Sequence, residues 1–198
     1  MDDKKTEVSK CLGWGMDLPE YDGKIFRLGE PTQGVKAEFE LYLKRQAMQG
    51  TIEAGKGLPP AEDEKNRKLL LKDFGLGKYR WGGEVWRDAL SEQDTIEQLI
   101  LLLLEEGESK KTKHKHQVTR EDVTKMLGSD EIGPWLMAGV FMVSGVDPTM
   151  ALAMAQMTFA GAREQQQEAM AKMEKLISPD SADQSCRTIL PFGKTFVD

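Results

Sequence analysis

Apolar residues along this chain recur mostly at the three-and-four spacing of helices, with one short exception at the start. Trp14, Met16 and Leu18 alternate, Pro19 follows, and Lys24-Ile25-Phe26-Arg27-Leu28 comes after the pair Asp22-Gly23. Asp-Gly between two such runs predicts a short hairpin, although proline belongs only at an edge or outside the ladder. It is the only β-structure expected. After Pro31 and Thr32, the positions Val35, Phe39, Tyr42, Leu43 and Ala47 put one apolar stripe along a helix that should end near Gly50. Residues 51–60, with two glycines and two prolines, read as a loop, and Ala61 to Phe74 as a helix with a charged first half and a buried end at Leu69, Leu70 and Leu71. A glycine-rich connector carries Tyr79-Arg80-Trp81, and a short helix from Glu84 to Leu90 adds Trp86, so that Trp81 and Trp86 become core anchors. Ser91 or Asp94 can cap the next helix, which is apolar all round from Leu99 to Leu104 and therefore central.

Residues 105–117 are polar and read as a surface loop. Thr119 with Asp122 three residues later is a capping-box pattern, with Val123, Met126 and Leu127 as the inner face of a short helix. From Ile132 to Val146 the chain is almost continuously apolar, and Asp147-Pro148 then writes a clear helix start: a carboxylate to accept free amides, and a ring that presets φ. The helix from 148 to 177 should extend roughly 45 Å at 1.5 Å per residue. Its first half, with Met150, Leu152, Met154, Met157 and Phe159, should be buried, and its second half, rich in Gln and Glu, should project. The resulting fold class is mainly α: a single helical domain with a short N-terminal β-hairpin, a helical hairpin and a long projecting C-terminal helix. The segments are 1–30, the N-terminal hairpin region; 31–162, the helical core; 163–178, the distal half of the long helix; and 179–198, a flexible tail.

Hydrophobic residues make up 39% and charged residues 30% of 198, enough apolar content to fold. A net charge of −6 argues against a surface built as a whole to neutralise phosphates. Only a local basic patch, Lys110, Lys111, Lys113 and Lys115, keeps a nucleic-acid-associated accessory role open as the alternative reading. Cys11 and Cys186 lie near opposite ends and no apolar leader precedes them, which fits a reducing cytoplasm and disfavours a disulfide. The apolar stretch 132–160 is cut by Asp147-Pro148 into pieces of about fourteen residues, whereas a membrane span needs roughly twenty.

Candidate chemistry is thin. Gly50 to Lys56 has the glycine and lysine spacing of a phosphate-binding loop, but Gly57 stands where a magnesium-binding hydroxyl is needed, and a helix rather than a strand precedes it. His114 and His116, the only histidines, sit among lysines that repel a cation, so no metal site is expected. No nucleophile has a base beside it, and no cofactor or enzymatic activity is expected. The methionines suit either a core or an adaptable binding face. Met150, Met154 and Met157 are assigned to the core, and Met170 and Met173 to an interface.

The runs Lys24 to Leu28, Glu38 to Leu43, Tyr79-Arg80-Trp81, the leucine-rich helix and Val118 to Val123 together resemble small tailed-phage proteins of the tail-assembly-chaperone type, over residues 20–135. The resemblance implies a non-enzymatic helical protein that engages a tape-measure protein, in the host cytoplasm or as part of a virion. The long helix and the tail are not part of the pattern, which leaves another virion structural or adaptor component open. The reading is therefore an assembly or scaffolding protein that binds a protein partner through Met170, Met173, Leu176, Ile177, Leu190 and Phe192. Nucleic acid and membrane are disfavoured as partners, and a homo-oligomer is left open.

Overall fold

The computed structural model describes residues 14, 15 and 17–177, with side chains as far as Gly161 together with Glu164. Asp22 and Gly23 both take positive φ, 50° and 71°, the left-handed pair that lets a two-residue turn match the twist of antiparallel arms. Around the turn Tyr21 and Lys24 exchange backbone hydrogen bonds of 2.8 and 3.0 Å, and the Leu18 N–H donates to the Phe26 carbonyl at 2.7 Å. These arms meet only in isolated bridges, Asp17 with Arg27 and Tyr21 with Lys24; no extended strand forms among the described residues. Pro19 has no N–H to give, which interrupts the ladder. Leu18, Phe26 and Leu28 are nevertheless buried, so the segment contributes to the core.

Seven helices follow among the described residues: α1 (Gln33–Gly55), α2 (Pro60–Gly75), α3 (Glu84–Ala89), α4 (Gln93–Ser109), α5 (Arg120–Leu127), α6 (Gly133–Val143) and α7 (Pro148–Ile177). The centre is α4, whose Leu99, Ile100, Leu103 and Leu104 are fully buried and which packs against α1, α5 and α6. Each such side chain contributes about 1.5–3 kcal/mol by leaving water. The N-terminal segment crosses α4 at two glycines. There the Gly29 N–H donates to the Leu103 carbonyl at 2.8 Å, and a Cβ on Gly107 would lie 2.0 Å from the Arg27 carbonyl oxygen. Backbone meets backbone, so neither glycine has room for a side chain.

Thr32 caps α1 by accepting from the Val35 N–H at 3.4 Å, and Val35, Phe39 and Leu43 form its buried stripe. The helix does not stop near Gly50 but runs on to Gly55. Glycine costs only about 1 kcal/mol inside a helix, and two local bonds offset it: Thr51 Oγ1 donates to the Ala47 carbonyl at 2.9 Å, and Gln49 Nε2 to Glu53 at 2.8 Å. Pro60 opens α2 at a position where no amide is needed. This helix packs on α1, yet none of its side chains is buried, contrary to the expected burial of Leu69–Leu71. Three consecutive helical positions sweep about 200° of the circumference, so a single neighbour cannot cover them all.

Trp86 of α3 is buried and Trp81 half-buried, with ring centres 5.3 Å apart, and Trp81 meets the Phe39 ring edge-on at 5.9 Å. Thr119 and Asp122 close the capping box of α5 in both directions. Arg120 ties α5 to α4 by donating to Glu97 at 3.2 Å and Asp94 at 2.8 Å. In α6, Leu136, Ala138 and Val140 are buried, and Gly139 lies against the Leu28 side chain.

Asp147 starts α7 as its sequence demands, its Oδ1 accepting from the Thr149 N–H at 2.9 Å and the Met150 N–H at 3.4 Å. Burial in the first turns falls on Ala151, Leu152 and Ala155, while Met150, Met154 and Met157 are 61%, 40% and 74% exposed. The expectation that these methionines belong to the core is therefore overturned: small side chains take the inner face and the long thioethers face outward. The chain divides into two compact units, Met1–Gln156 and Met157–Asp198; the described part of the second is the continuation of α7 to Ile177. No helix among the described residues is long and apolar enough to cross a membrane.

Candidate functional site

The residues first considered for chemistry are drawn into the fold itself. Residues 50–55 lie in α1, where amide groups are committed to carbonyls one turn back, so they form no cradle for a phosphate. Among the described residues no group of three or more His, Cys, Asp or Glu side chains is placed to hold a metal.

The basic loop is organised around one carboxylate. Glu108, near the end of α4, is buried, and it accepts from the Arg27 and His116 amides at 2.8 Å each and from Lys111 Nζ at 2.7 Å. Burial pushes its carboxyl up, but Lys111 and the two amides more than offset that and hold it below the usual range. Lys111 also donates to the Ile25 carbonyl and is only 12% exposed. Lys110 pairs with Glu106 at 3.0 Å, and Lys115 donates to the Ser109 carbonyl at 2.7 Å. The His116 ring sits 5.4 Å from that of Phe26. Three of the four lysines are therefore engaged within the fold: Lys111 joins the N-terminal turn to α4, Lys110 pairs along α4, and Lys115 ties the loop to the end of α4. Lys113 is exposed and has no such partner among the described residues. Residues 105–109, expected in a surface loop, are instead the last turn of α4, and Glu108 is the hub of this junction; one of its partners, the Arg27 amide, is 81 positions away, and no local pattern announces it.

Nearby, Glu38, Glu105 and Glu106 border an open cleft with Gly34, Val35 and Leu102. Burial, then the neighbouring Glu38, push the Glu105 carboxyl up. Glu106 is already paired with Lys110.

What the fold leaves over is apolar surface on α1 and α2. Met48, Thr51 and Ile52 of α1 and Arg67, Leu70 and Leu71 of α2 line a groove of about 170 Å³. Leu71 is 57% exposed at its edge, and Leu69, 52% exposed, lies on the far side of the helix. The outward face of α2 carries Ala61, Glu64, Lys65, Lys68, Leu69 and Lys72 around a shallow hollow of about 410 Å³. A second apolar face is on α7 at Met150 and Met154.

The side chains of Met170, Met173, Leu176 and Ile177, and the residues Leu190 and Phe192, lie outside what the structure describes. The exposure of Leu69 and Leu71 departs from the expected buried end, although the run Leu69-Leu70-Leu71 within a highly charged helix requires one leucine to face away from α1. Comparison with known protein families, with curated proteins and with solved structures finds no match to this chain.

Proposed function

We propose that this is a non-enzymatic assembly or scaffolding protein that binds a protein partner through exposed apolar helix faces. One observation carries the reading: α2 is a 16-residue helix with no buried side chain and with two leucines more than half exposed. A helix kept only as a spacer would replace those leucines with polar residues at no loss of packing. The Met150 and Met154 face of α7 supplies a second, adaptable surface, since thioethers repack easily. In this reading the N-terminal turn works as a hairpin, α6 and α7 as a helical hairpin, and Met170, Met173, Leu176, Ile177, Leu190 and Phe192 add further partner contacts. The tail-assembly-chaperone role implied by the resemblance is the specific form of the proposal, with a tape-measure protein as the partner.

A photo-crosslinking residue placed at Leu71 or at Met150, in cells that make the protein, tests this. Discrete protein adducts are expected, and they should vanish when Met48→Gln and Ile52→Gln, in the same groove, accompany the crosslinker at Leu71, or when Met154→Gln accompanies the crosslinker at Met150. Silence at both positions, in protein with an unchanged circular dichroism spectrum, refutes the reading. Adducts to a tape-measure protein support its specific form, and adducts only to unrelated proteins overturn that form.

A further inference from the structure

We infer that α2 is an order-disorder segment built into the fold: it leaves α1 by melting while the body of the protein stays folded, and each such opening uncovers Met48 and Ile52 of α1. The inference goes beyond the protein-binding reading and does not require it. Among the helices α2 packs substantially on α1 alone, and none of its side chains is buried. Leu70 and Phe74 are its only apolar side chains even half-covered. The α1 side adds little, because its buried residues, Val35, Phe39 and Leu43, all precede Met48, Thr51 and Ile52, which line the groove against Leu70 and Leu71. That groove of about 170 Å³ leaves the two helices incompletely packed, without the dispersion contacts that a closed interface supplies.

Charge does not make up the difference. Asp63 pairs with Arg67 at 2.9 Å and Glu64 with Lys68 at 2.7 Å inside α2, while Asp73 pairs with Lys78 at 3.0 Å in the connector that follows. None of these three pairs reaches α1. They favour α2 as a helix without fastening it, and a helix of 16 residues is marginal in water by itself. Loss of its one neighbour therefore costs α2 its own hydrogen bonds. By contrast α4, with Leu99, Ile100, Leu103 and Leu104 fully buried, cannot open without unfolding the core.

The ends of α2 decide how it opens. After it, the connector is fastened to the body: the Trp81 N–H donates to Glu40 of α1 at 2.8 Å, and the Trp81 ring meets Phe39 and Trp86. Before it, only residues 56–59 link it to the end of α1, all of them exposed. Gly57 in that link has φ 94°, and nothing lies within 4 Å of where its Cβ would stand, so it sets the turn without packing on anything. Tied at both ends, α2 has no slack to swing out as a rigid rod. Melting supplies the slack, since each residue then spans up to about 3.3 Å in place of 1.5 Å.

Amide hydrogen exchange of the full chain, resolved by NMR and repeated at low urea concentrations, tests this. The amides from Glu64 to Gly75 should be protected about a hundred-fold or more below those from Leu99 to Leu104. Their protection should fall with urea along one shared slope, shallower than that of α4, because one cooperative opening exposes them all. Two substitutions should move α2 alone and in opposite directions. Gly57→Ala puts a side chain at a left-handed φ in the link and should speed α2 exchange about five- to thirty-fold. Asn66→Ala, at an exposed position inside the helix, raises helix propensity and should slow it about three-fold. Exchange of α2 as slow as that of α4, α2 amides with no urea dependence, or equal effects of Gly57→Ala on α2 and α4 each overturns the inference. Acceleration of α2 by Gly57→Ala with no response to Asn66→Ala overturns it too, since the helix would then detach without melting. These measurements read opening and the crosslinks at Leu71 and Met150 read a partner, so silent crosslinks remove the protein-binding reading and leave this inference to stand or fall on exchange.

Discussion

Replacing Glu108 with alanine should be among the most damaging single changes in this protein. The carboxylate is buried and has three donors, the Arg27 and His116 amides and the Lys111 ammonium. Alanine leaves two backbone N–H groups without their acceptor, at about 1–3 kcal/mol each, and leaves the 12%-exposed Lys111 with only the Ile25 carbonyl. Removing one partner of a buried pair costs about 3–5 kcal/mol, so a loss of that size is expected, a large part of a total stability of about 5–15 kcal/mol. Urea unfolding followed by tryptophan fluorescence reads it, since Trp81 and Trp86 lie in the packed region. Glu108→Gln keeps one acceptor oxygen and should lose less. The pH dependence has a definite sign. Because the folded carboxyl lies below its ordinary value, the charged form is favoured by folding. That contribution is complete above the unfolded value of about 4.3 and is lost as pH falls through the folded one. The stability gap between the native protein and Glu108→Gln should therefore be constant at neutral pH and shrink in acid. A cost of Glu108→Ala below about 1 kcal/mol, or a gap that widens in acid, would refute the role given to this residue.

Two further changes probe the fold from its sequence signals. Gly107→Ala should destabilise by about 1–3 kcal/mol or more although alanine is the better helix former, because its Cβ would lie 2.0 Å from the Arg27 carbonyl and 2.7 Å from the Gly29 amide; a raised urea midpoint would show that the crossing is absent. Thr119→Ala removes the side-chain half of the α5 capping box and should cost about 1 kcal/mol, with faster hydrogen exchange at the Asp122 amide; unchanged exchange there contradicts the cap.

The features legible in the sequence are those whose chemistry is local. Thr32, Thr119 with Asp122, and Asp147 with Pro148 each announce a helix start through side chain and backbone within three residues, and each helix starts where they stand. Leu99 to Leu104 announces a central helix because no partial burial can shelter a stretch apolar on every side. Contacts distant along the chain were not legible. The Gly29 and Gly107 crossing and the Arg27 amide on Glu108 join residues about eighty apart, and nothing in either neighbourhood names the other. The methionines of α7 were misassigned because hydrophobicity alone gives a stretch with no polar face to orient it. Close packing chose Ala151 and Ala155 for the inner side, a steric preference that a hydropathy pattern does not contain. The end of α1 was missed for a different reason: Gly50 is a weak stop when Thr51 and Gln49 supply their own bonds.

The division between fold and function can be argued from how charge is distributed. In the packed body, the buried carboxylates Glu97 and Glu108 are matched to partners. Glu97 is buried, which by itself pushes its carboxyl up, yet Gln93 and Arg120 hold it down. Glu108 is treated the same way by Lys111 and two amides. Substitutions there act on stability, since each leaves a buried donor or acceptor unmatched. On α2 the situation is reversed: Lys65, Lys72, Leu69 and Leu76 are exposed and contribute no buried contact, so changing them should move stability by no more than about 0.5 kcal/mol.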